Sequence, residues 1–389
     1  MRLTNISLRQ FRNHRDLTLD VEPGVNLFFG ANGAGKTNLL EAIAVLSTGL
    51  SPRGADTESM IQWGEQGFAI RGVFEFDSAG SDPLTLEMKL RTGSPRVIRE
   101  NGTTAVRLRD LLGRVPLVSF VPEDLAMVKG EPEQRRQAMD MILMQIDPLY
   151  GSELKRYNEI LRSRNAALRQ VAEGQASPDI LTAWDESLVG AGLLLCEKRA
   201  AFLEDFSPRV SRVHARVSGG KEKMELIYKP SVPGPWDGSA ERRWLEELIL
   251  ARPREIAIGS TLHGPQRDDI LFQLNGRPAR EFGSEGQKRT GAVSFKLAEI
   301  PFIQEKLNQK PICLLDDVLS ELDTERAEHL LDELSRTGQC FVTLTGLEAW
   351  PRHRDLPASV YKVDEAGIRK DNRIFRHSGM QLTGIQTES

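Results

Sequence analysis

The chain has 389 residues, 40% of them hydrophobic and 27% charged, with a formal net charge of −4. That length allows a large core and two domains, and the balance is that of an ordinary globular protein without a global basic field, so any polyanion site has to be a local patch. Cys196, Cys313 and Cys340 make no disulfide framework, the opening MRLTNISLRQFRN has no apolar core of signal-peptide length, and no run approaches the roughly 18 apolar residues of a membrane span, so a cytoplasmic protein with buried, reduced thiols is expected.

Leu17, Leu19 and Val21 alternate with polar residues as in a strand, and Glu22-Pro23-Gly24 turns the chain. Val25, Leu27, Phe28 and Phe29 then read as a buried strand. Residues 30–37, GANGAGKT, follow it and fit the phosphate-binding pattern G-x-x-x-x-G-K-[ST]. Leu39, Leu40, Ile43 and Leu46 continue at helical spacing, so the octet sits between a strand and a helix, as the pattern requires. The physical reason for the composition is direct. Gly30, Gly33 and Gly35 allow a tight backbone whose N–H groups reach phosphate oxygens, and the helix starting near Lys36 points its positive end at the same anion. Gly30, Ala31, Asn32, Gly33, Ala34, Gly35, Lys36 and Thr37 are therefore candidates for binding ATP. Lys36 suits the β/γ-phosphates, and the Thr37 hydroxyl suits Mg²⁺.

Phe68, Ile70, Val73, Phe74 and Phe76 indicate a strand with one irregularity, and Leu84 to Leu90 alternate cleanly. A third strand over 95–99 runs into the hairpin signal Asn101-Gly102. Together these predict an antiparallel meander beside the nucleotide-binding core. From Glu131 to about Phe206 the pattern is helical. Leu154, Tyr157, Leu161, Leu168 and Val171 share one face of a first helix, with Lys155, Arg156, Arg162, Arg164 and Arg169 assigned to the others. A second helix is expected over about 179–204, and Arg209, Arg212 and Arg216 add another basic cluster. Such clusters bind phosphate independently of sequence. A strand at 223–228, a Pro/Gly-rich stretch at 229–238 and a helix over 240–251 follow.

After Gly259 the β/α alternation returns. PICLLDD at 311–317 is continuously apolar, as in a strand buried on both faces, and Cys340 to Leu344 is a second such strand. The strand-ending Asp316 is placed to hold Mg²⁺ and Asp317 to polarise the attacking water, as the catalytic carboxylate. The expected organisation is an ATPase head in two parts, 1–120 and 259–370, a mostly helical arm at 121–258, and a polar tail at 371–389.

Ser284-Glu285-Gly286-Gln287 precedes a helical stretch, Thr290 to Ile300, and Ser320-Glu321-Leu322-Asp323 follows the acidic strand. The order of P-loop, S-x-G-Q signature, acidic strand and D-loop resembles the ATPase heads of the ABC superfamily. LRQFRNH (8–14), FVPEDLAMVKGEPEQRR (120–136), SRNAAL (163–168), HGPQRDD (263–269) and LLDDVLSELD (314–323) narrow the likeness. Over residues 2 to about 346 the chain resembles the RecF family of bacterial recombination mediators, related to Rad50 and SMC heads.

The resemblance implies an α/β fold: an ABC-type, Rad50-like P-loop ATPase head with mixed sheets and an inserted, mostly helical domain. It implies ATP with Mg²⁺, an ATP-induced homodimer, weak DNA-dependent hydrolysis, DNA bound near single-strand/double-strand junctions, and work with RecR and RecO. It further implies that Arg12 contacts nucleotide phosphate and that Ser284, Gly286 and Gln287 cap the γ-phosphate held by the other subunit. Glu123 stands near the place of the family's Q-loop glutamine, and Gln266 stands where the family usually has His. An amide does not titrate near neutrality as His does, so no acid/base role falls to Gln266. Thr345 occupies the place of the switch histidine of transporter ATPases, so slow hydrolysis is expected. A transporter ATPase subunit, an SMC-like structural protein and a small-molecule kinase are the alternatives; the second needs a far longer heptad-bearing insert, and the third a pocket for a second substrate.

Overall fold

In the computed structural model, residues 1–77, 80–335, 338–347, 350 and 358–371 are described. The chain forms two compact units: 1–46, 50–103 and 312–389 in the first, 47–49 and 104–311 in the second. The second unit is therefore longer than the expected arm at 121–258. It adds 47–49, 104–120 and 259–311, and the last of these carries the strand that pairs with the 223–228 region and a helix that packs along the arm's longest helix.

The first unit opens with β1 (Arg2–Phe11), β2 (His14–Asp20), β3 (Gly24–Phe29) and helix α1 (Lys36–Thr48). The meander β4 (Gly67–Glu75), β5 (Leu84–Arg91), β6 (Val97–Glu100) and β7 (Thr103–Ala105) follows, with sheet order β2-β1-β4-β5-β6-β7. The expected irregularity of β4 has a simple cause. Phe68, Ile70 and Phe74 face inward with Gly72 completing their alternation, and a Cβ on Gly72 would lie 2.6 Å from Leu46. The inward position is filled by a residue with no side chain, so apolar counting misreads the period. Asn101, at φ 49°, and Gly102 turn β6 into β7 as the hairpin signal predicts.

The second unit contains α2 (Leu108–Leu111), β8 (Leu117–Phe120), α3 (Pro132–Ile146), α4 (Pro148–Ala172) and α5 (Ile180–Val217). Then come β9 (Met224–Lys229), α6 (Ala240–Ile258), β10 (Asp269–Leu274), β11 (Arg277–Pro278), α7 (Ala279–Phe282) and α8 (Glu285–Leu307). Helix α5 runs well past the expected end near 204 and through Pro208. Phe206, Val210, Val213 and Val217 keep its buried stripe going, and their packing outweighs the one backbone bond that proline removes. Helix α6 likewise runs through Pro253 to Ile258, where Gly259 closes it in the left-handed conformation.

The first unit resumes with β12 (Ile312–Asp316), α9 (Thr324–Ser335), β13 (Gln339–Leu344), β14 (Ala358–Asp364) and β15 (Gly367–Asp371). The polar tail expected from 371 lies, beyond Asp371, outside the described residues. Strands β14, β3, β13 and β12 are parallel neighbours in that order, with β15 antiparallel to β14. Leu27, Val342 and Leu315 are in register, and β12 and β13 are buried almost throughout, as continuous apolarity predicts. Parallel register places the carboxyl ends of β3, β12 and β13 together, where ligands of such sheets bind. Cys313 and Cys340 are buried free thiols in those strands, and Cys196 is a third, buried in α5.

Candidate nucleotide-binding site

Residues 30–35 leave β3 and turn sharply into α1, whose first residue is Lys36. A Cβ on Gly30 would sit 2.0 Å from the carbonyl oxygen of Val363 in β14, so only glycine fits the exit of the strand. Gly35, at φ 108°, packs under Asn13 and His14, which leave the β1–β2 hairpin to brace the turn. His14 Nε2 bonds the Gly35 carbonyl at 3.1 Å, and burial lowers the imidazole pKa against the raising effect of that bond, so the ring is neutral and Nε2–H donates. Asn13 donates to Gly33 O at 3.4 Å and accepts from Asn38 at 2.8 Å. The RNH of the opening string thus builds the outer wall of the loop.

Lys36 Nζ donates to Gly30 O at 2.7 Å and Ala31 O at 2.9 Å. Burial lowers its pKa, while Asp317 and Asp316 act to keep the proton. Thr37 Oγ1 donates to Asp316 Oδ1 at 2.7 Å, across a sequence separation of 279 residues. Thr343 Oγ1 donates to the same oxygen at 2.8 Å and accepts the Asp317 N–H at 2.9 Å. That N–H bond helps hold Asp317 at φ 54°, a left-handed conformation that a non-glycine residue adopts only when its surroundings impose it. The Ser320 hydroxyl fixes the Asp317 carboxylate at 2.7 Å. Asn32, Gly33, Gly35, Lys36, Thr37, Asn38, Arg53, Asp316, Asp317 and Thr343 line one cavity of about 190 Å³.

The cavity combines a glycine-rich loop backbone, a helix N-terminus, a lysine and a hydroxyl–carboxylate pair. The first three fit a nucleotide's phosphates. The paired oxygens of Thr37 and Asp316 fit Mg²⁺, which takes hard oxygen ligands and completes its shell with water and phosphate. Among the described residues no group of three or more His, Cys, Asp or Glu side chains forms a metal cage.

Arg12, at φ 54°, is gripped rather than free. Its Nε and Nη2 each donate to the buried Glu41 carboxylate at 2.8 Å, and Nη1 donates to Ser59 O at 2.8 Å. Burial pushes Glu41 upward, but the bonds from Arg12 and Ser51 prevail and its pKa is lowered. Glu41 on α1, Thr343, Ser320 and Arg53 were not read as site residues from sequence. Thr343 lies inside an apolar run and carries no signal; the position of Glu41 four residues after Thr37 in a hydrophobic helix face is a signal for a buried partner.

The remaining predicted residues lie in the second unit. Ser284 caps α8: its Oγ accepts from the Gln287 N–H at 3.2 Å while Gln287 Oε1 accepts from the Ser284 N–H at 2.8 Å. The helix begins at Glu285, five residues before the expected stretch, because this reciprocal cap starts it. Gly286 is in its first turn. Glu123 is exposed in a short 3₁₀ turn, Pro122–Ala126, where its neighbour Asp124 bonds the Val121 N–H. Gln266 accepts from the Tyr157 hydroxyl and donates to His263 O at 3.3 Å, a structural role without titration. In the first unit, Thr345 is exposed just beyond β13.

The basic helix needs a correction. Arg164 is fully buried and binds Asp185, Thr261 and Glu255, each at 2.7 Å, so it is absent from the exposed face that Arg162 and Arg169 share. Helical spacing alone did not show that this position turns into the unit, because a polar residue among polar neighbours reads as exposed. Arg209 is tied to Asp205 and Glu305, which removes it from the second cluster of available cations.

Among the described residues no helix is long and apolar enough to cross a membrane. The family model of the RecF/RecN/SMC N-terminal domain matches residues 2–364. The DNA replication and repair protein RecF of Heliobacterium modesticaldum is 41% identical over 377 residues, 96% of this chain and all of that protein. Its namesake from Lachnoclostridium phytofermentans is 36% identical, over 95% of this chain and all of that protein. A solved structure of the recombination mediator RecF with ATPrS, in the RecFOR pathway, superposes with a TM-score of 0.86 at 32% identity, covering 95% of this chain and 98% of that one. An Smc head bound to a winged-helix domain of ScpA gives a TM-score of 0.54 at 15% identity, which is a likeness of fold alone.

Proposed function

The chain belongs to the RecF family, with the ABC-type ATPase head of the RecF/RecN/SMC group, and on that premise we propose that it is an ATP-controlled DNA replication and repair protein. The observation carrying the reading is the meeting of Thr37 with Asp316, seconded by Thr343, at the mouth of the 30–37 loop. In this reading Lys36 and the loop amides hold the β- and γ-phosphates, and Thr37 and Asp316 hold Mg²⁺, which supplies charge neutralisation at the phosphates. Asp317 orients the attacking water as the catalytic carboxylate, with Ser320 fixing its direction. Arg12 acts on phosphate only by exchanging one of its present partners, so its first role is to fix α1 through Glu41.

Ser284, Gly286 and Gln287 serve the nucleotide of a second copy. A helix N-terminus with a cap hydroxyl and an early glycine is suited to capping a γ-phosphate. ATP is then chiefly a dimerisation switch with weak, DNA-dependent hydrolysis, and the dimer holds DNA near single-strand/double-strand junctions in the cytoplasm. RecR, and RecO with it, are the proposed partners, and the ATPase head is proposed to draw on both ends of the chain, with the helical arm inserted between them in sequence.

Gel filtration with ATP, ADP or no nucleotide, with and without DNA, tests the reading. The wild type is expected to shift to a dimer with ATP alone, and Lys36→Ala to stay monomeric. A Lys36→Ala dimer of unchanged ATP dependence would rule the reading out.

A further inference from the structure

We propose that Glu222, oriented by the buried His214, is a positioning residue for the signature at 284–287. The inference rests on the reading of that signature as a γ-phosphate cap. Glu222 lies in the turn between α5 and β9, where no motif marks it. Its Oε1 accepts from Gln287 Nε2 at 2.8 Å, and its Oε2 faces His214 Nε2 at 3.2 Å. Gln287 uses its other end for the Ser284 N–H at 2.8 Å. The Gln287 side chain is thus held at both ends, once by the helix cap and once by a carboxylate.

His214 is fully buried near the end of α5, and its Nδ1 lies 3.2 Å from Ser294 Oγ in α8. Burial lowers its pKa, against the raising effect of Glu222, so the ring is neutral. The neutral ring has one N–H, and placing it on Nε2 lets it donate to Glu222. The Ser294 hydroxyl donates to Thr290 O at 2.7 Å and flanks Nδ1 at 3.2 Å. Charged and titratable groups facing the ring are confined to Glu222 among those that shift it. The result is a chain from His214 to Glu222, met from the other side by Gln287 and Ser284. It clamps the first turn of α8 to the end of α5 at the point where Ser284 and Gly286 must meet a phosphate. The carboxylate also lies by the positive end of α8, which favours its charge there. A cap whose glutamine is free to rotate would present Ser284 in several orientations, and a phosphate would have to select one.

The test reads the signature directly and then through function. In Glu222→Ala, hydrogen exchange at the amides of 285–288 is expected to rise roughly tenfold, the factor for losing one charge-assisted bond of ordinary strength. Glu222→Gln keeps the volume and one acceptor and is expected to fall between; it carries the test if the alanine variant does not fold. Unchanged exchange in both variants overturns the proposal, whatever the oligomer does.

Complementation separates the proposal from the shared-site reading. Mixing Lys36→Ala with Ser284→Arg is the control, since one composite site of the mixed dimer keeps both groups; failure to form an ATP-dependent mixed dimer refutes the shared site and leaves the exchange result to decide the role of Glu222. With the control positive, Glu222→Ala is expected to bind ATP with wild-type affinity and to hydrolyse it slowly. Lys36→Ala should restore its activity, because the intact signature then faces the intact P-loop, and Ser284→Arg should not. Restoration by Ser284→Arg, or full activity of Glu222→Ala alone, overturns the proposal.

Discussion

Replacing Arg164 by Met separates the two roles that sequence and structure give it. The guanidinium is fully buried and donates to Asp185, Glu255 and the Thr261 hydroxyl at 2.7 Å each. Glu255 is itself fully buried; its other oxygen accepts from the Leu262 N–H at 2.7 Å. Asp185 keeps Arg252 at 2.6 Å. Four charges therefore balance, two of each sign, and the substitution leaves one negative charge in excess inside the helical unit. Removing one partner of a buried pair costs about 3–5 kcal/mol. In urea, with a slope of about 2 kcal/mol per M, that shifts the unfolding midpoint down by about 2 M. Fluorescence is the suitable probe, because Trp184, Trp236 and Trp244 all lie in that unit. Adding Glu255→Gln to Arg164→Met should recover part of the loss by restoring neutrality. DNA affinity of the folded variant should stay at wild type, whereas Arg162→Glu with Arg169→Glu tests the exposed face. A variant of wild-type stability that has lost DNA binding would refute the burial argument.

Thr343→Val removes one of two hydroxyl donors from Asp316 and the acceptor of the Asp317 N–H; hydrolysis should fall roughly tenfold with ATP affinity nearly kept, from about 1–3 kcal/mol of lost hydrogen bonding, and a steady-state assay with nucleotide titration decides it. Asp317→Asn should keep ATP binding and the dimer yet lose about 10²–10⁴ in turnover, since the amide cannot accept a proton; normal hydrolysis in this variant would remove Asp317 from its assigned role. Glu299 in α8 has its pKa pushed up to about 7 by burial, which outweighs the lowering by Lys296 and is reinforced by Asp124. The folded state then holds a proton that the unfolded chain releases above about 4.5, so this group's contribution to stability falls as pH rises from about 4.5 to about 7 and is flat beyond. Glu299→Gln should remove up to about 3 kcal/mol of that slope, and identical pH–stability curves for the two proteins would refute it.

What sequence revealed follows from how far each signal travels along the chain. The 30–37 octet announced itself because strand, turn and helix are contiguous, and every group that shapes the turn is within a few residues. The continuous apolarity of β12 and β13 announced a buried parallel sheet, and Asp316 was legible only as a carboxylate ending such a strand. Its two hydroxyl partners were legible to very different degrees. Thr37 has a motif, whereas Thr343 is one threonine inside QCFVTL, where the same residue satisfies strand propensity without any site. Only the register of β12 with β13, Asp316 opposite Thr343, converts it into part of the site. Arg164 failed in the opposite direction: a helical wheel assigns faces from apolar neighbours, and a buried ion network has none to show.

The same contrast explains why the phosphate site is built where it is. Lys36 and Thr37 open α1, while Asp316, Asp317 and Thr343 lie 279 or more residues away from Thr37 in sequence. Nothing local holds these two halves together; they meet because β13 pairs with β3 on one side and β12 on the other, all in parallel. Parallel neighbours cannot be joined by a tight hairpin and require a long crossover. Here the connection from β3 to β12 is long enough to contain the whole second unit. The two halves of the site are thus fixed to one sheet, whereas Ser284–Gln287 are carried by the intervening unit on its own helix. An inserted unit can change length and surface without disturbing the register that brings Asp316 to Thr37. That is a physical reason for one P-loop core to accept inserts of very different length.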